Sequence, residues 1–594
     1  MNSKQIFILV CFASLALCQV KQLEDQSIQF DTKSLSQNYL QSQTVKLVAI
    51  KKGDSFSIQQ NDDNKLSVHT NRQVCASIEY QKTLNETGWD VIFLDTNESF
   101  SPEEQMQCAG FLEGLASKQA ITDFLFNISS QRGSSKEQYK AFFTNVYNNL
   151  LSKANNPPQK TEQYWNTAKL FLIQLVGLKN GYNALETNED SKLELWQISL
   201  PNIDGQADEI DQLIASGSQE LGVNQQQILI HQNARLRRHI NHKRKNKLSE
   251  WAKNAMFSRC SAFFKILTTE NENGAKILKD VFGSHSTWEP YSSMNRIYKF
   301  YRLPNLNTAH SWIQMSSYPG AITSTDDFIV KEGKFLVTET SIQSQDSDTV
   351  SSLKASDVDI PDFIRVQTAM SLSQSGIQWA EYMSQYGAVK MYSSEWMILD
   401  YSKLQKGKEI PNNTFIVLSS SYQKQIIEDK TQELIDNTYF ASFNNPHNKV
   451  IRDFLGYTEL ESYNELFSLE QDPRNQIFQH FQSKTQSIDK VKWLMLHNSY
   501  KKQPVDNEPT YQSSVAALGA RGDIDGGSNF GEVDVKVVNI DLLKNFEVEA
   551  ISGPSHQEQP VFIWKKNDQD RHQGQPSSWN FGWGKMSLSM NSSQ

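Results

Sequence analysis

The chain has 594 residues and a formal net charge of −9 at pH 7. Aromatic residues make up 11% of it, and because so much aromatic surface has to be buried, a disordered or fibrous chain is excluded. The acidic balance argues against a nucleic-acid-binding protein, which would carry a basic footprint. Five cysteines are too few for a disulfide scaffold or a cysteine-rich zinc site.

Residues 1–18 have the form of a cleavable secretory signal. Lys4 precedes an apolar run over residues 6–17, and this run is too short to span a bilayer. We therefore expect a secreted or lysosomal protein with no transmembrane segment. N-x-S/T sequons agree with that route and are candidate glycosylation sites; they begin at Asn85, Asn97, Asn127, Asn412 and Asn591.

The N-terminal part, residues 19–223, opens with short β-like runs and continues with helical spacing. The β-like runs lie between residues 46 and 94 and are separated by polar turns. Apolar side chains then recur at helical intervals in residues 105–125, 136–151 and 162–178. We expect this part to contribute both strands and helices to the fold.

Basic residues crowd into the segment that follows, residues 224–259. A nucleic-acid patch, a membrane-surface segment and a metal pair at His239 and His242 are functional interpretations of this segment. In an otherwise acidic secreted chain, a solvated and protease-accessible linker is favoured. We expect the linker to be excised, which leaves a C-terminal fragment of residues 260–594.

Strand-like and helix-like segments follow in blocks after residue 260. Few of them alternate strictly as strand, helix and strand, which argues for an α+β layered fold. The predicted helices are residues 361–386 and 431–443, and the β-like runs begin at Cys260 and continue at residues 335–339, 396–401, 414–418, 548–551 and 560–564.

Cys260 is the chemical candidate that the residues themselves offer. The sequence has no G-x-S-x-G, H-E-x-x-H, P-loop or G-x-G-x-x-G motif, so no cofactor and no metal site is predicted. If the chain is cut between Arg259 and Cys260, the new terminus carries both a thiol and an α-amine, and the amine can act as the base for the thiol. The alternative is a buried cysteine that behaves as a small hydrophobic residue.

Short runs along nearly the whole chain fit one known family in order. In the N-terminal part they are Asn85-Glu86-Thr87-Gly88-Trp89, Gly110-Phe111-Leu112-Glu113-Gly114 and Tyr164-Trp165. After residue 260 they are Cys260-Ser261-Ala262, Ser284-His285-Ser286-Thr287-Trp288, Met294-Asn295-Arg296, Asp326-Asp327-Phe328, Glu339-Thr340-Ser341, Tyr439-Phe440-Ala441-Ser442-Phe443-Asn444, Asn498-Ser499-Tyr500 and His572-Gln573-Gly574. Together these runs strongly resemble the phospholipase B-like (lamina ancestor) family.

The resemblance implies an N-terminal-nucleophile hydrolase, an αββα sandwich built from two chain fragments. It also implies cleavage just before Cys260, a lysosomal or secreted location, a lipid or acyl-amide substrate, and retention of the N-terminal fragment as a partner. His285, Trp288 and Thr340 fall on family positions near the site and are candidate catalytic residues beside Cys260. His285 could instead cap a strand end, and Trp288 could fill the core. A homodimer is a further candidate assembly.

The chain departs from the family pattern beside this candidate site. The family typically has Asn-Asn-Gln-Trp where this chain has Ser393-Ser394-Glu395-Trp396. An Asn amide can donate to an oxyanion, whereas a Ser hydroxyl donates one hydrogen bond with shorter reach. Ser393, Ser394 and Asn498 are the candidate oxyanion donors, and loss of one such donor lowers turnover by roughly 10²–10³-fold. The alternative function is therefore a catalytically weak secreted binding or scaffold protein that keeps the fold.

Cys75 and Cys108 are the only cysteines of the expected mature chain besides Cys260. An oxidising lumen permits a disulfide between them, but a disulfide needs a specific separation, and the sequence does not give that separation.

Overall fold

The computed structural model describes ten stretches of the chain. The expected signal, residues 1–18, and the expected linker, residues 224–259, lie outside them. The described residues are 19–62, 65–217, 260–303, 311–346, 352–387, 389–504, 506–510, 513–525, 528–566 and 568–591.

The strands of these stretches form two large sheets and a two-stranded one. In chain order they are β1 (Phe30–Asp31), β2 (Thr44–Lys52), β3 (Ser55–Gln60), β4 (Val74–Gln81), β5 (Asp90–Thr96), β6 (Cys260–Glu270), β7 (Lys276–Pro290), β8 (Ile297–Arg302), β9 (Ile313–Ser317), β10 (Phe328–Lys331), β11 (Phe335–Ile342), β12 (Ser393–Leu399), β13 (Phe415–Ser420), β14 (Gln425–Asp429), β15 (Tyr439–Ser442), β16 (Phe530–Asn539), β17 (Val548–Ser552), β18 (Phe562–Ile563), β19 (Ser578–Trp579) and β20 (Gly584–Met586).

The α-helices begin and end where caps and turns allow. Before the helix Pro102–Ala116, for example, the Ser101 hydroxyl accepts from the Glu104 amide, and the Glu104 carboxylate accepts in return from the Ser101 amide. None of the helices in the described ranges combines the length and the apolar character needed to cross a bilayer. The helices are α1 (Gln37–Leu40), α2 (Leu84–Thr87), α3 (Pro102–Ala116), α4 (Lys118–Ile128), α5 (Lys136–Asn155), α6 (Glu162–Asn183), α7 (Leu195–Ser199), α8 (Ala207–Gly217), α9 (Asp362–Leu372), α10 (Gly376–Gln385), α11 (Thr431–Asn437), α12 (Lys449–Phe454), α13 (Tyr457–Tyr463), α14 (Pro473–Phe481), α15 (Ile488–Met495), α16 (Gly522–Asp525) and α17 (Ile540–Lys544).

The larger sheet joins the parts of the chain on either side of the expected linker. Its twelve strands run in the order β1-β3-β2-β4-β5-β8-β9-β10-β11-β12-β13-β14. Strands β5 and β8 pair in parallel, with Asp90 opposite Ile297, so the N-terminal strands continue directly into the C-terminal ones. Because this pairing lies inside the sheet, separating the two parts would break a ladder of buried backbone hydrogen bonds. The two parts therefore share one fold.

The smaller sheet packs face to face on the larger one. Its order is β15-β6-β7-β16-β17-β20. Alternate side chains of a strand point to opposite faces, so Phe264 of β6 meets Leu336 of β11 between the sheets. Its neighbour Phe263 packs on the outer face, against residues of α14 and α15. Helices α3, α5, α6, α9 and α10 cover the outer face of the larger sheet. The predicted α+β layered fold is confirmed.

One predicted helix is wrong over its second half. The pattern predicts a helix over residues 431–443, but α11 ends at Asn437, where Thr438 adopts a φ of 62°. The next four residues form β15 and pair with β6, with Ser442 opposite Ala262. Pairing with the sheet outweighs the local helical pattern here, as is common for aromatic residues. The correction matters because β15 brings Ser442 and Asn444 beside Cys260.

Helices α3 and α6 approach so closely that glycine is required at their contact. A Cβ on Gly110 or Gly114 of α3 would clash with backbone carbonyl oxygens of α6, and a Cβ on Gly177 of α6 would lie 2.7 Å from the Gln107 carbonyl oxygen. The family-like run Gly110–Gly114 therefore has a packing role, since no side chain fits between the two backbones.

We expect Gly110→Ala to destabilise the protein by about 1–3 kcal/mol or more, because the new methyl group forces the two helices apart. Urea unfolding would measure the change. Gly582→Ala is the matched control, since nothing lies within 4 Å of a Cβ built there. Equal unfolding midpoints for the two variants would contradict this packing account.

Candidate active site

Cys260 is the first residue of β6 and lies in a polar layer between the two sheets. Strand register places it opposite Thr287 of β7, which in turn is opposite Asp534 of β16. Residues directly opposite each other on paired strands share a face of the sheet. Cys260 also points to the same face as Ala262 and Phe264, which lie two and four residues further along β6 and enter the core between the sheets. Cys260 is only 4% exposed. Its thiol therefore lies on the inner face of the smaller sheet.

The surroundings keep the Cys260 thiol protonated. Burial raises the pKa of the thiol well above its usual value, and the nearby Glu339 carboxyl group raises it further, whereas Lys536 acts in the opposite direction. Only the thiolate is a strong nucleophile. A reaction at Cys260 therefore needs a base that removes the thiol proton during attack.

His285 is buried beside Cys260 but is held as a neutral ring. Its Nε2 lies 2.8 Å from the carbonyl oxygen of Glu339, and because a carbonyl only accepts, Nε2 carries the proton. Its Nδ1 then accepts from the Thr287 hydroxyl at 3.5 Å. Burial and the charge of Lys536 lower the pKa of His285 well below its usual value. The neutral His285 therefore links Thr287 to the β11 backbone at Glu339 rather than supplying a cation.

Two cations and two carboxylates form a buried network next to this row of residues. The Lys536 ammonium donates to the Thr287 hydroxyl at 2.7 Å and also to Asp534. Arg296 joins Asp534 to Asp326, with an Nη1 to Oδ1 distance of 2.9 Å to Asp326. Burial acts to raise the pKa of Asp326, but Arg296 and Lys536 hold it at about 2. Within this network, Lys536 holds a positive charge close to the Cys260 thiol.

A second pair of buried carboxyl groups, Asp327 and Glu339, lies next to this network. Asp327 immediately precedes β10 and Glu339 lies within β11. The Glu339 amide donates to the Asp327 carbonyl at 3.1 Å, and Asp327 has a φ of 56°. Burial raises the pKa of both carboxyl groups well above the usual value. The charge of Asp326 raises the pKa of Asp327 further, and the charge of Asp327 raises that of Glu339. Their surroundings therefore favour the protonated form of each carboxyl group. No group of three or more His, Cys, Asp or Glu side chains in the described stretches is placed to hold a metal ion.

Arg474 and Asn444 hold the backbone of Cys260, and sequence reasoning missed both. Arg474 donates to the Cys260 carbonyl at 3.0 Å and to Asn444 Oδ1 at 2.8 Å. The same Asn444 oxygen accepts from the Cys260 amide nitrogen at 3.4 Å. Trp288 packs under this group, with the Arg474 guanidinium 4.6 Å from its ring centroid and its own Nε1 donating to the Leu518 carbonyl. Trp288 therefore supports Arg474 on the outer face of the sheet.

Thr340 belongs to a chain of hydrogen bonds that crosses from the larger to the smaller sheet. Its hydroxyl lies 2.6 Å from that of Ser442, and the Ser442 hydroxyl donates to Glu395 at 2.7 Å. Glu395 is fully buried and also accepts from the Ser419 hydroxyl at 3.4 Å and from the His447 amide at 3.1 Å. The Nδ1 of His447 lies 2.8 Å from the Glu395 carboxylate. Burial acts to raise the pKa of Glu395, but His447 and Ser442 hold it below its usual value. This four-residue chain runs from the candidate site towards a partly exposed imidazole.

The three candidate oxyanion donors occupy different environments. Ser393 lies on the same face of β12 as Glu395, and its buried hydroxyl has no hydrogen-bond partner among the described residues. Ser394 points to the opposite face, where its hydroxyl accepts from Trp396 Nε1 at 2.8 Å. Asn498 donates both amide protons to backbone carbonyls, those of Ser514 and Gly519. Of the three, Ser393 is the side chain available to a substrate in the layer that holds Cys260.

The residue before Asn498 is a buried histidine held by two carboxylates. His497 Nε2 lies 2.5 Å from Glu508 and Nδ1 lies 3.0 Å from Glu558. Burial acts to lower the pKa of His497, but the two carboxylates raise it to about 9. Because the folded value exceeds the usual value of about 6.5, the protonated histidine stabilises the fold.

This contribution is fully present below about pH 6.5 and is lost as the pH rises through about 9. We expect it to amount to roughly 3 kcal/mol. Urea unfolding of the wild type and of His497→Gln, at about pH 6 and about pH 10, would measure it. The wild type should be the more stable protein at the lower pH and should lose that advantage at the higher one. An advantage independent of pH would contradict the assignment.

With this geometry described, comparison with known proteins becomes informative. A family model described as Phospholipase B matches residues 76–586. The chain belongs to this family. It is 26% identical to Phospholipase B-like protein C of Dictyostelium discoideum over 89% of this chain and 90% of the relative. It is 27% identical to Putative phospholipase B-like 1 of Caenorhabditis elegans over 86% and 88%, and 26% identical to Phospholipase-B 81 of Drysdalia coronoides over 84% and 86%.

Membership of the phospholipase B family confirms the resemblance and supports hydrolase chemistry in general. The ordered runs that carried the resemblance separate into two groups in the structure. Those around Cys260, His285, Arg296 and Glu339 converge on the polar layer between the sheets. The run from Gly110 to Gly114 packs helices, and Asn498 holds a loop.

The predicted glycosylation sites of this family member differ in exposure. Asn85 and Asn412 are exposed, and Asn591 is half-buried. Asn97 is buried, and its amide nitrogen donates to the Val74 carbonyl. Asn127 is fully buried and donates to Asn295 and to the Gln573 carbonyl. A glycan on Asn97 or Asn127 would displace these hydrogen bonds, so Asn85, Asn412 and Asn591 are the sites we retain as predictions.

Cys75 of β4 and Cys108 of α3 are buried side by side as free thiols. Burial raises the pKa of Cys108 well above its usual value, and the neighbouring Cys75 thiol raises it further. The structure therefore supplies the proximity that a disulfide needs, and pairing in an oxidising lumen remains a prediction.

Proposed function

We propose that the protein is a secreted or lysosomal hydrolase that cleaves acyl ester or amide bonds, with phospholipids as the substrate class. The observation that carries the proposal is the position of Cys260. It opens a central strand directly after the expected linker, faces a charged layer between two sheets, and has its amide nitrogen held by Asn444. The phospholipid substrate class is taken from the names of the relatives, which are phospholipase B or phospholipase B-like proteins.

In this proposal, cleavage before Cys260 converts its backbone nitrogen into an α-amine. The amine takes the thiol proton while the sulfur attacks the acyl carbonyl, and the resulting ammonium returns the proton to the leaving alcohol or amine. Water then attacks the thioester, with the amine again acting as base, and releases the carboxylic acid. This route suits a thiol that the protein keeps protonated, because the base acts only during attack.

Asn444, Thr287 and Lys536 support that chemistry from two sides. Asn444 Oδ1 accepts a hydrogen bond from the Cys260 nitrogen, and the same contact after cleavage would orient the lone pair of the amine. Thr287, opposite Cys260, accepts a hydrogen bond from Lys536 and so holds the ammonium group near the thiol, where its charge favours the thiolate. The unpartnered Ser393 hydroxyl is the proposed oxyanion donor.

The two fragments stay together in this proposal because β5 and β8 are paired within one sheet. The layered arrangement of helices outside two packed sheets supports an N-terminal-nucleophile hydrolase, in which the nucleophile opens a strand of the inner layers. Excision of the linker and maturation by self-cleavage belong to the same proposal.

Acyl hydrolysis by the purified mature protein tests the function. A fluorogenic short-chain phospholipid and an acyl amide would be compared, and an acyl adduct on the Cys260 peptide would be sought by mass spectrometry. Release of fatty acid together with this adduct is the expected result. Release without the adduct would contradict Cys260 as the nucleophile.

A second candidate function is a binding or scaffold protein that keeps the fold with weakened catalysis. The observation that favours it is the Ser393-Ser394-Glu395 departure, since a serine at 393 donates less effectively than the family's asparagine. Phospholipid binding by a correctly cleaved protein that releases no acyl product would support this second function.

A further inference from the structure

Glu395 stands where the family pattern has glutamine, and this difference fixes the direction of a hydrogen-bond chain. An ionised carboxylate only accepts hydrogen bonds. The Ser442 hydroxyl must therefore donate its proton to Glu395, over 2.7 Å, and cannot donate it to Thr340. The Thr340 hydroxyl, 2.6 Å from Ser442, must then donate to the Ser442 oxygen.

This direction limits what Thr340, at the other end of the hydrogen-bond chain, can do. Once the proton of Thr340 is directed at Ser442, only its lone pairs remain for groups in the layer between the sheets. Thr340 and Ser442 lie on that layer, because Ser442 is opposite Ala262, two residues from Cys260. Asn444 links the same elements, since it accepts from the Cys260 nitrogen and donates to the Ser341 carbonyl at 2.6 Å.

A glutamine at position 395 would leave the direction open. Its amide NH₂ could donate to Ser442, which could then donate to Thr340 and leave the Thr340 proton available to an oxyanion. In this chain that role is closed to Thr340. Burying the Glu395 carboxylate, which is 0% exposed, costs solvation free energy. The imidazole of His447, which is 21% exposed, pairs with the carboxylate and offsets part of that cost.

We propose that Glu395 and His447 are positioning residues that make Thr340 a hydrogen-bond acceptor for the protonated α-amine of Cys260. This inference rests on the proposed function, because the α-amine exists only after cleavage. An acceptor stabilises the ammonium form, so it makes the amine hold its proton more tightly between the two acyl-transfer steps.

Other charged groups also act electrostatically on Cys260 and contribute to the pKa of its α-amine in every variant. They are Asp327, just before β10, Glu339 on β11, Glu289 on β7, Lys536 on β16 and Arg474 on α14. The charge of Glu395 also raises the pKa of Glu339. None of them is altered in the variants below, so differences between variants report the hydrogen-bond chain.

The experiment measures the pKa of the α-amine directly, without turnover. The mature protein is pulsed with acetic anhydride across a pH series, and acetylation of the peptide that begins at Cys260 is followed by mass spectrometry. The variants are Glu395→Gln, His447→Gln, the double variant, and Thr340→Val with Thr340→Ser as the conservative control. The pH dependence of kcat/KM is recorded in parallel.

We expect Glu395→Gln, the double variant and Thr340→Val to lower the amine pKa by roughly 0.5 or more, because each removes the acceptor. His447→Gln should not lower it, since the carboxylate still directs Ser442, and Thr340→Ser should behave as the wild type. A merely structural role would reduce kcat in all variants without moving the labelling profile, and that result would overturn the inference. A protein with no Cys260 terminus to label would instead overturn the proposed function, and the inference with it.

Discussion

Replacement of Cys260 by alanine is expected to abolish both cleavage before residue 260 and acyl hydrolysis. The alanine leaves no nucleophile, so hydrolysis should fall by at least about 10⁴-fold, a loss typical of removing a catalytic nucleophile. The Cys260→Ser variant should retain slow cleavage, because a hydroxyl can still support the acyl shift. Fragment masses and fatty-acid release would measure the two effects separately.

Cys75→Ala is the matched control for this experiment. Cys75 is also a buried thiol, but it lies in the core between the larger sheet and α3. Its loss should leave cleavage and hydrolysis intact. If Cys260→Ala still yields a fragment that starts at residue 260 at the normal rate, self-cleavage is wrong and other proteases suffice.

Replacement of Ser393 by asparagine is expected to raise turnover at least several-fold. The Ser393 hydroxyl lies in the layer that holds Cys260 and has no partner among the described residues, so an amide there can reach a developing oxyanion. A preorganised donor acts mainly in the transition state, and the gain should therefore appear in kcat more than in KM. One donor is worth up to roughly 10²–10³-fold, reduced here for imperfect geometry.

Ser394→Asn separates this explanation from a general effect of the substitution. Ser394 lies on the opposite face and accepts from Trp396, so an asparagine there should not raise kcat. Kinetics of both variants on a short-chain phospholipid and on an acyl amide would decide. Vigorous wild-type turnover that Ser393→Asn only lowers would show that the site already has a complete oxyanion hole.

The sequence predicted the parts of the site that are local in the chain. The α+β class, the strand that opens at Cys260 and the polar runs around His285 and Thr340 all follow from patterns within a few residues or from the family resemblance. The resemblance also placed Arg296 and Asp326 in family-like runs, but their pairing depends on strand register, which no short run contains.

The partners of Cys260 could not be predicted for the same reason. Lys536, Arg474 and Asn444 come from a distant strand, a helix and the end of β15, and they meet only when both sheets form. The family-like run from Tyr439 to Asn444 contains Asn444, but the predicted helix over residues 431–443 placed Ser442 on a helix, and the pairing with β6 that brings Asn444 to Cys260 was therefore not predicted. Ser393 and Ser394 were equivalent in sequence, and the alternation of β12 distinguishes them.

The chemical identity of the mature N-terminus at position 260 tests the central claim most directly. Edman sequencing or peptide mass spectrometry of the protein isolated from its native source would determine it. We expect a C-terminal fragment that begins at Cys260 with a free α-amine and that copurifies with the N-terminal part. An uncut chain, or a fragment that begins at any other residue in an active preparation, would contradict Cys260 as an N-terminal nucleophile.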